Sequence, residues 1–133
     1  MRNVVLGAVI GALAAAGSIA VTPVAKADVP LECHPGCWGA IAASLSTGQE
    51  VIRYDYPTQQ KAEDDAVLWC DVDGKTNDCR VVVSGLGCLS IAESGDGKTL
   101  AGRQAFTQDA ADAAALNGAG PGSTIDLNGC SGW

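Results

Sequence analysis

The only histidine of the chain, His34, lies between two cysteines in Cys33-His34-Pro35-Gly36-Cys37. Thiolates and imidazole bind zinc, and closely spaced thiols exchange electrons. Three residues separate these cysteines where the redox motif has two, and no second cysteine-rich cluster follows to complete a zinc site. The segment therefore reads as a structural disulfide loop. Asp71-Val72-Asp73-Gly74-Lys75-Thr76-Asn77-Asp78 offers hard oxygen ligands of the kind calcium takes. An EF-hand loop needs Gly at its sixth position and Glu at its twelfth, and counting from Asp71 those are Thr76 and Val82. A solvated turn is the expectation there.

Nucleophilic catalysis finds no better footing. A hydrolytic triad would have to recruit His34, and Ser44, Ser46, Ser84 and Ser90 lack the strand-turn-helix elbow that exposes a serine nucleophile. Glu63 and Asp64 could serve glycosidase chemistry as paired carboxylates, but adjacent positions on a helix read as an exposed face. Gly118-Ala119-Gly120-Pro121-Gly122 is linker composition with no helix behind it to cradle a phosphate. No catalytic, cofactor-binding or metal-ligating residue is assigned. The chemistry that remains is that of the six cysteines.

Their compartment is set by the first twenty-seven residues. Arg2 precedes an uncharged run from Val4 to Val21, and Ala25-Lys26-Ala27 supplies the small-x-small pattern of signal peptidase. Residues 1–27 are expected to be a signal peptide rather than an anchor, because the run is rich in Gly and Ala and is followed by Pro23. The mature chain should begin at Asp28, secreted or held in the cell envelope, with no membrane span after cleavage. Its six basic and fifteen acidic residues leave a net charge of −9. Such a surface repels phosphate backbones and anionic lipid, so nucleic acid is not an expected partner. In an oxidising compartment, Cys33, Cys37, Cys70, Cys79, Cys88 and Cys130 are expected to form disulfides, which a small core poor in aromatic residues needs. Six cysteines allow fifteen pairings.

The positioning elements follow from patterning. Residues 28–37 read as an irregular segment with Pro30 and Pro35, and 38–133 as a single domain. Trp38 to Leu45 and Glu50 to Tyr54 are expected strands around Ser46-Thr47-Gly48. Thr58 caps a helix whose Ala62, Ala66, Trp69 and Cys70 face inward while Glu63, Asp64 and Asp65 face outward. A loop from Asp71 to Asp78 leads to a strand, Cys79 to Val83, buried on both faces. The second half repeats this order: strands at Cys88 to Glu93 and Thr99 to Arg103, a helix from Thr107 to Leu116 stopped by Asn117-Gly118, and a strand at Thr124 to Leu127.

At an offset of fifty, Ile41-Ala42 meets Ile91-Ala92, Ser44 meets Ser94, Arg53 meets Arg103 and Tyr56 meets Phe106. One residue is lost after Pro57, and then Thr58-Gln59 meets Thr107-Gln108, Ala62 meets Ala111 and Ala66 meets Ala115. The fold class is α+β: two repeated β-β-α-β units, about residues 38–85 and 88–133, packed as one disulfide-stabilised domain.

Trp38-Gly39-Ala40-Ile41-Ala42, Ala62-Glu63-Asp64-Asp65-Ala66 with Cys70, and Cys79-Arg80-Val81-Val82-Val83 together resemble the domain of unknown function 4189 family of small exported bacterial proteins, with mycobacterial and other actinobacterial members. The resemblance runs from about Trp38 to Cys130. The family's second half restarts with Cys-Gly-Ala-x-Ala, of which Cys88-Leu89-Ser90-Ile91-Ala92 keeps part; Ala43 stands where an aromatic residue is frequent. The resemblance implies a fold and an exported destination, and carries no reaction or catalytic residues. Members keep cysteines matching the last four, which implies Cys33–Cys37 as mutual partners. Cys70 ends a helix and Cys79 begins the next strand, so a short loop can bridge them, leaving Cys88–Cys130. The repeat offers a rival, Cys37–Cys79.

The function expected is that of a secreted, non-catalytic interaction module meeting an unknown protein or envelope partner, or a host partner. The alternatives are a small secreted hydrolase using carboxylates, or a cation-binding protein. A cleft gathering carboxylates with raised pKa would favour the enzyme; an exposed apolar patch without such a cleft would favour the module.

Overall fold

Two hairpins organise the chain, and both turn on the same chemistry. The Ser44 amide donates to the Gln49 carbonyl and the Ser94 amide to that of Thr99, each at 2.9 Å. Gly48 and Gly97 take the left-handed φ values of 77° and 73° that these turns require. The computed structural model describes residues 36–132. The expected signal peptide and most of the segment 28–37, with Cys33 and His34, lie outside the described residues.

Strands β1 (Trp38–Ala43) and β2 (Glu50–Tyr56) form the first hairpin, followed by helix α1 (Gln59–Gly74) and strand β3 (Arg80–Leu86). Strands β4 (Cys88–Glu93) and β5 (Leu100–Ala105), helix α2 (Gln108–Ala119) and strand β6 (Thr124–Cys130) repeat the order. The fold is α+β, with β-β-α-β twice. Each unit makes an antiparallel three-stranded sheet with its first strand central, β2-β1-β3 and β5-β4-β6.

Four layers result, helix–sheet–sheet–helix, because the central strands bury both faces. Ala40 and Ala42 of β1 pack on Ala62, Ala66 and Cys70 of α1. Ala92 of β4 packs with Ala115 and Ala119 of α2. The alternate residues Ile41, Leu89 and Ile91 meet between the sheets with Ile52, Val82, Val83, Leu100 and Leu127. Small Ala contacts let the helices sit close to the sheets, so a core with few aromatic residues still closes.

The repeat extends to irregularities. In β3 the register shifts between the partners of Ile41 and Ala42, leaving Val82 as the extra residue; in β6 it shifts at Ile91 and Ala92, leaving Asp126. Thr58 and Thr107 cap the two helices, their hydroxyls accepting from the Lys61 and Ala110 amides at 3.2 Å. Gln59 and Ser84 both donate to Glu63, while Gln108 and Asn128 both donate to Asp112, so the same polar trio ties each helix to its last strand.

Several expectations are corrected. The extra residue of the first unit lies in β2, not after Pro57: Trp38 pairs with Tyr56 and Ala40 with Arg53, so Tyr54 and Asp55 form a bulge, and Asp55 sits at φ 72°. Cys88 pairs with Ala105, so Tyr56 corresponds to Ala105 rather than Phe106. Helix α1 runs on through Asp71 and Asp73 to Gly74 and is closed by Lys75 at φ 52°, replacing the expected start of the loop. Helix α2 likewise passes Asn117-Gly118 and ends at Ala119. The strand Arg80–Leu86 is only partly buried along its valines, because it lies at the edge of its sheet.

Candidate functional site

The repeat serves as an internal control: a residue the fold needs should recur in both units, and one that serves something else need not. Two departures from the repeat gather polar side chains.

The first is the outer face of α1. Arg53 and Tyr56 project from β2, and Asp65 and Trp69 from α1. The Arg53 Nε donates to Asp65 Oδ2 at 2.9 Å, Tyr56 donates its phenol to the same oxygen, and the Arg53 guanidinium lies 5.7 Å from the Trp69 ring centroid. Burial, then the bond to Asp65, raises the Tyr56 pKa above its ordinary value; the bond to Tyr56 is the largest influence holding Arg53 protonated. The second unit keeps Arg103 but has Ala105, Ala114 and Gly118 at the other three positions, and a Cβ on Gly118 would stand 2.6 Å from the Arg103 guanidinium. Around this network Leu68, Trp69 and Val72 are 55%, 41% and 54% exposed. A shallow depression of about 290 Å³ between Tyr56, Lys61, Asp64, Asp65 and Leu68 borders the stripe.

Trp69 was expected to face inward. Ala62, Ala66 and Cys70 already fill the line that meets the sheet, and Trp69 is displaced from it by one helical step. Nor are Glu63, Asp64 and Asp65 equivalent: Glu63 and Asp65 bond to strand residues as above, whereas Asp64 is exposed and accepts from Gln60 on its own helix at 2.8 Å. The signal for this face was available in the sequence, since Leu68 and Val72 lie four apart on the side opposite Ala62 and Ala66.

The second departure lies between the hairpins, where β1, β2, β4 and β5 meet at one end of the inter-sheet seam. Glu50, Glu93 and Asp126 line a cavity of about 160 Å³ there, together with Ala43, Lys98 and Leu100. Glu50 Oε1 is buried without a hydrogen-bond partner. Its pKa is raised to about 7 by burial first, then by the charges of Asp126 and Glu93 and a hydrogen bond with Asp126. No sequence pattern marked these three, because they come from separate strands.

The remaining sequence candidates are dispersed. Asp71 and Asp73 lie on α1, whereas Asp78 accepts from Ser44 and Thr76 at 2.6 and 2.7 Å, contacts that with Ser46 lower its pKa to about 2. Among the described residues, no three His, Cys, Asp or Glu side chains are grouped to hold a metal ion. Ser90 is buried in the second helix–sheet core with its hydroxyl unpartnered. Cys70 is bridged to Cys79, and Cys88 to Cys130, its direct partner across β4 and β6. Cys37 is also disulfide-bonded.

A known family model matches the sequence from β1 into β6. The chain belongs to the family described as Domain of unknown function (DUF4189), over residues 38–126. The family match covers both departures. No curated protein and no solved structure matches the chain. The functional reading therefore rests on the residues themselves.

Proposed function

We propose that this protein is an exported, disulfide-stabilised interaction module that works by binding, and that the α1 face is where it binds. The observation that carries the reading is the asymmetry of the repeat: Leu68, Trp69 and the Arg53–Tyr56–Asp65 network decorate one helix, while the equivalent helix carries Asn117, Gly118 and Ala114. A fold that stands in one unit without these residues does not need them in the other. Trp, Tyr and Arg are also the side chains that anchor protein interfaces, and here Trp69 is exposed beside the half-buried Tyr56 and Arg53. Export is supported by the signal-peptide pattern of residues 1–27 and by the disulfides; among the described residues no helix is long and apolar enough to cross a membrane.

One observation favours the hydrolase alternative. The cavity at Glu50 gathers carboxylates, and one has a raised pKa. Its volume of about 160 Å³ is small, however, against the roughly 300–1,000 Å³ of pockets that enclose small-molecule ligands. That room suits water or a proton better than a glycoside.

The test is affinity capture from envelope and host extracts with the oxidised mature protein, beside a Leu68→Asp, Val72→Asp double variant. Both positions are exposed, so the variant should fold. The reading expects a partner retained by the native protein and lost by the variant. Turnover of a glycoside, ester or peptide, abolished by one carboxylate substitution in a folded variant, would replace it with the hydrolase. Export is tested separately, by sequencing the N-terminus of protein from culture medium.

A further inference from the structure

The acidic cavity asks for an explanation that the α1 face does not give. Glu50, Glu93 and Asp126 correspond, in the repeat, to Leu100, Ala43 and Val82. Leu100 and Val82 pack in the apolar cluster between the sheets. The architecture is thus satisfied by uncharged side chains at all three counterpart positions, and here it carries three carboxylates from three strands. Asp126 is also the residue its bulge sets out of register, and bulges are a means of re-aiming a side chain.

The surroundings do not neutralise this charge. From β1 and its hairpin the neighbours are Ala43 and Ser44, from β5 Leu100, and from β4 and β6 the two other acids. Lys98, on the second hairpin, is the one base lining the cavity, and among the described residues no ion pair joins it to any of the three. Asp78 adds a further negative charge behind Ser44.

We propose that Glu50, Glu93 and Asp126 form a proton-operated latch between the two hairpins. With one proton held among them, the Glu50 carboxyl is neutral and donates to Asp126, and the two sheets stay closed at this end. Losing that proton leaves three like charges around a small cavity, and they separate to admit water. The position of the Glu50 pKa puts this change close to neutrality. The latch changes how firmly the two hairpins are held without touching the opposite faces of the sheets, where the helices pack.

Native-state hydrogen exchange of the full mature protein tests it, at about pH 5 and about pH 8.5, corrected for intrinsic exchange rates. The reporters are the Ser44 and Ser94 amides, which close the two hairpins, and amides in the middle of α1 and α2 serve as references. Hairpin protection should fall by about tenfold relative to the helices on raising the pH, the scale of one pKa unit. In Glu50→Gln it should be independent of pH, and in Glu93→Gln the midpoint should move to lower pH. An equal fall in Glu50→Gln, no fall in the native protein, or an unmoved midpoint in Glu93→Gln would overturn the latch.

Discussion

Gly39 and Leu89 hold the same place in the two central strands, second from the start of each, and they pack against one another across the seam. A Cβ built on Gly39 would lie 3.2 Å from the Leu89 Cδ1, 3.1 Å from the Arg53 carbonyl oxygen and 3.3 Å from the Ser131 hydroxyl. Where the sheets come closest, one unit supplies the side chain and the other the space. The site takes one large residue, provided that the opposite one is Gly.

Gly39→Ala should therefore destabilise the fold. The strand backbone is extended there and tolerates any residue, so the cost is overpacking, of about 1–3 kcal/mol. Urea unfolding at equilibrium measures it. The paired change Gly39→Ala with Leu89→Ala should cost less than the sum of the two single changes, and a purely additive outcome would show that the two do not share the space.

Ser90 makes the opposite case. It is fully buried with its hydroxyl unpartnered, and its counterpart is Ala40. Removing an unsatisfied buried hydroxyl relieves a desolvation penalty, so Ser90→Ala should raise stability by about 1 kcal/mol. A lower urea midpoint would mean that the hydroxyl has a partner the packing conceals, such as an ordered water.

How much of this was legible can be seen from particular residues. The two threonine caps, the Ala62–Ala66–Cys70 line and the repeated order of elements are local or periodic signals, and a sequence displays those directly. The bulge at Tyr54 and Asp55 is hidden, because a one-residue insertion can be put anywhere between Arg53 and Thr58 until strand pairing fixes it. For Trp69 the periodicity of α1 admits two neighbouring lines, and only the sheet decides which is covered. Glu50, Glu93 and Asp126 were invisible for a stronger reason. They lie on different strands and meet through the packing of one sheet on another, which no local pattern encodes.

The two bridges should differ in worth. A disulfide stabilises largely by restricting the unfolded chain, more so for longer loops. Cys88–Cys130 spans 42 residues and Cys70–Cys79 spans 9, so opening the first should cost about 4 kcal/mol and opening the second about 2.6 kcal/mol. Cys-to-Ser pairs, Cys88 with Cys130 and Cys70 with Cys79, compared by urea unfolding, would check the order. The reverse order would point to native-state contacts rather than chain entropy.

Within α1, Asp64 and Asp65 should behave differently despite being adjacent. Asp64 is exposed, and Asp64→Ala should change stability by no more than about 0.5 kcal/mol. Asp65→Ala removes the acceptor of Arg53 and Tyr56. Because that ion pair is partly exposed, its loss should cost only about 0.5–1 kcal/mol. Its clearer signature is spectroscopic: the Tyr56 phenol, no longer bonded to a carboxylate, should titrate at lower pH in an ultraviolet difference experiment. An unchanged tyrosine titration would remove Asp65 as a cause of the shift.

Global stability should pass through a maximum in mildly acidic solution, because two groups act with opposite sign. Glu50 is raised to about 7 in the fold from an ordinary value of 4.5, so between those limits the folded state holds more proton than the unfolded chain. Stability from this group is greatest below 4.5 and is lost as the pH rises towards 7. Asp78 is lowered to about 2 from 3.8 by its hydroxyl partners, so its contribution is present above 3.8 and lost as the pH falls towards 2. The crossing leaves the maximum at about pH 4–5, below the neutral range in which most domains are steadiest. Urea midpoints across this range would trace it. Glu50→Gln should flatten the alkaline side selectively, because the general repulsion of an acidic surface remains in that variant while the buried carboxyl does not. A native profile still rising from pH 4.5 to 7 would show that Glu50 is ionised throughout and that the carboxylates at the hairpins are accommodated by solvent.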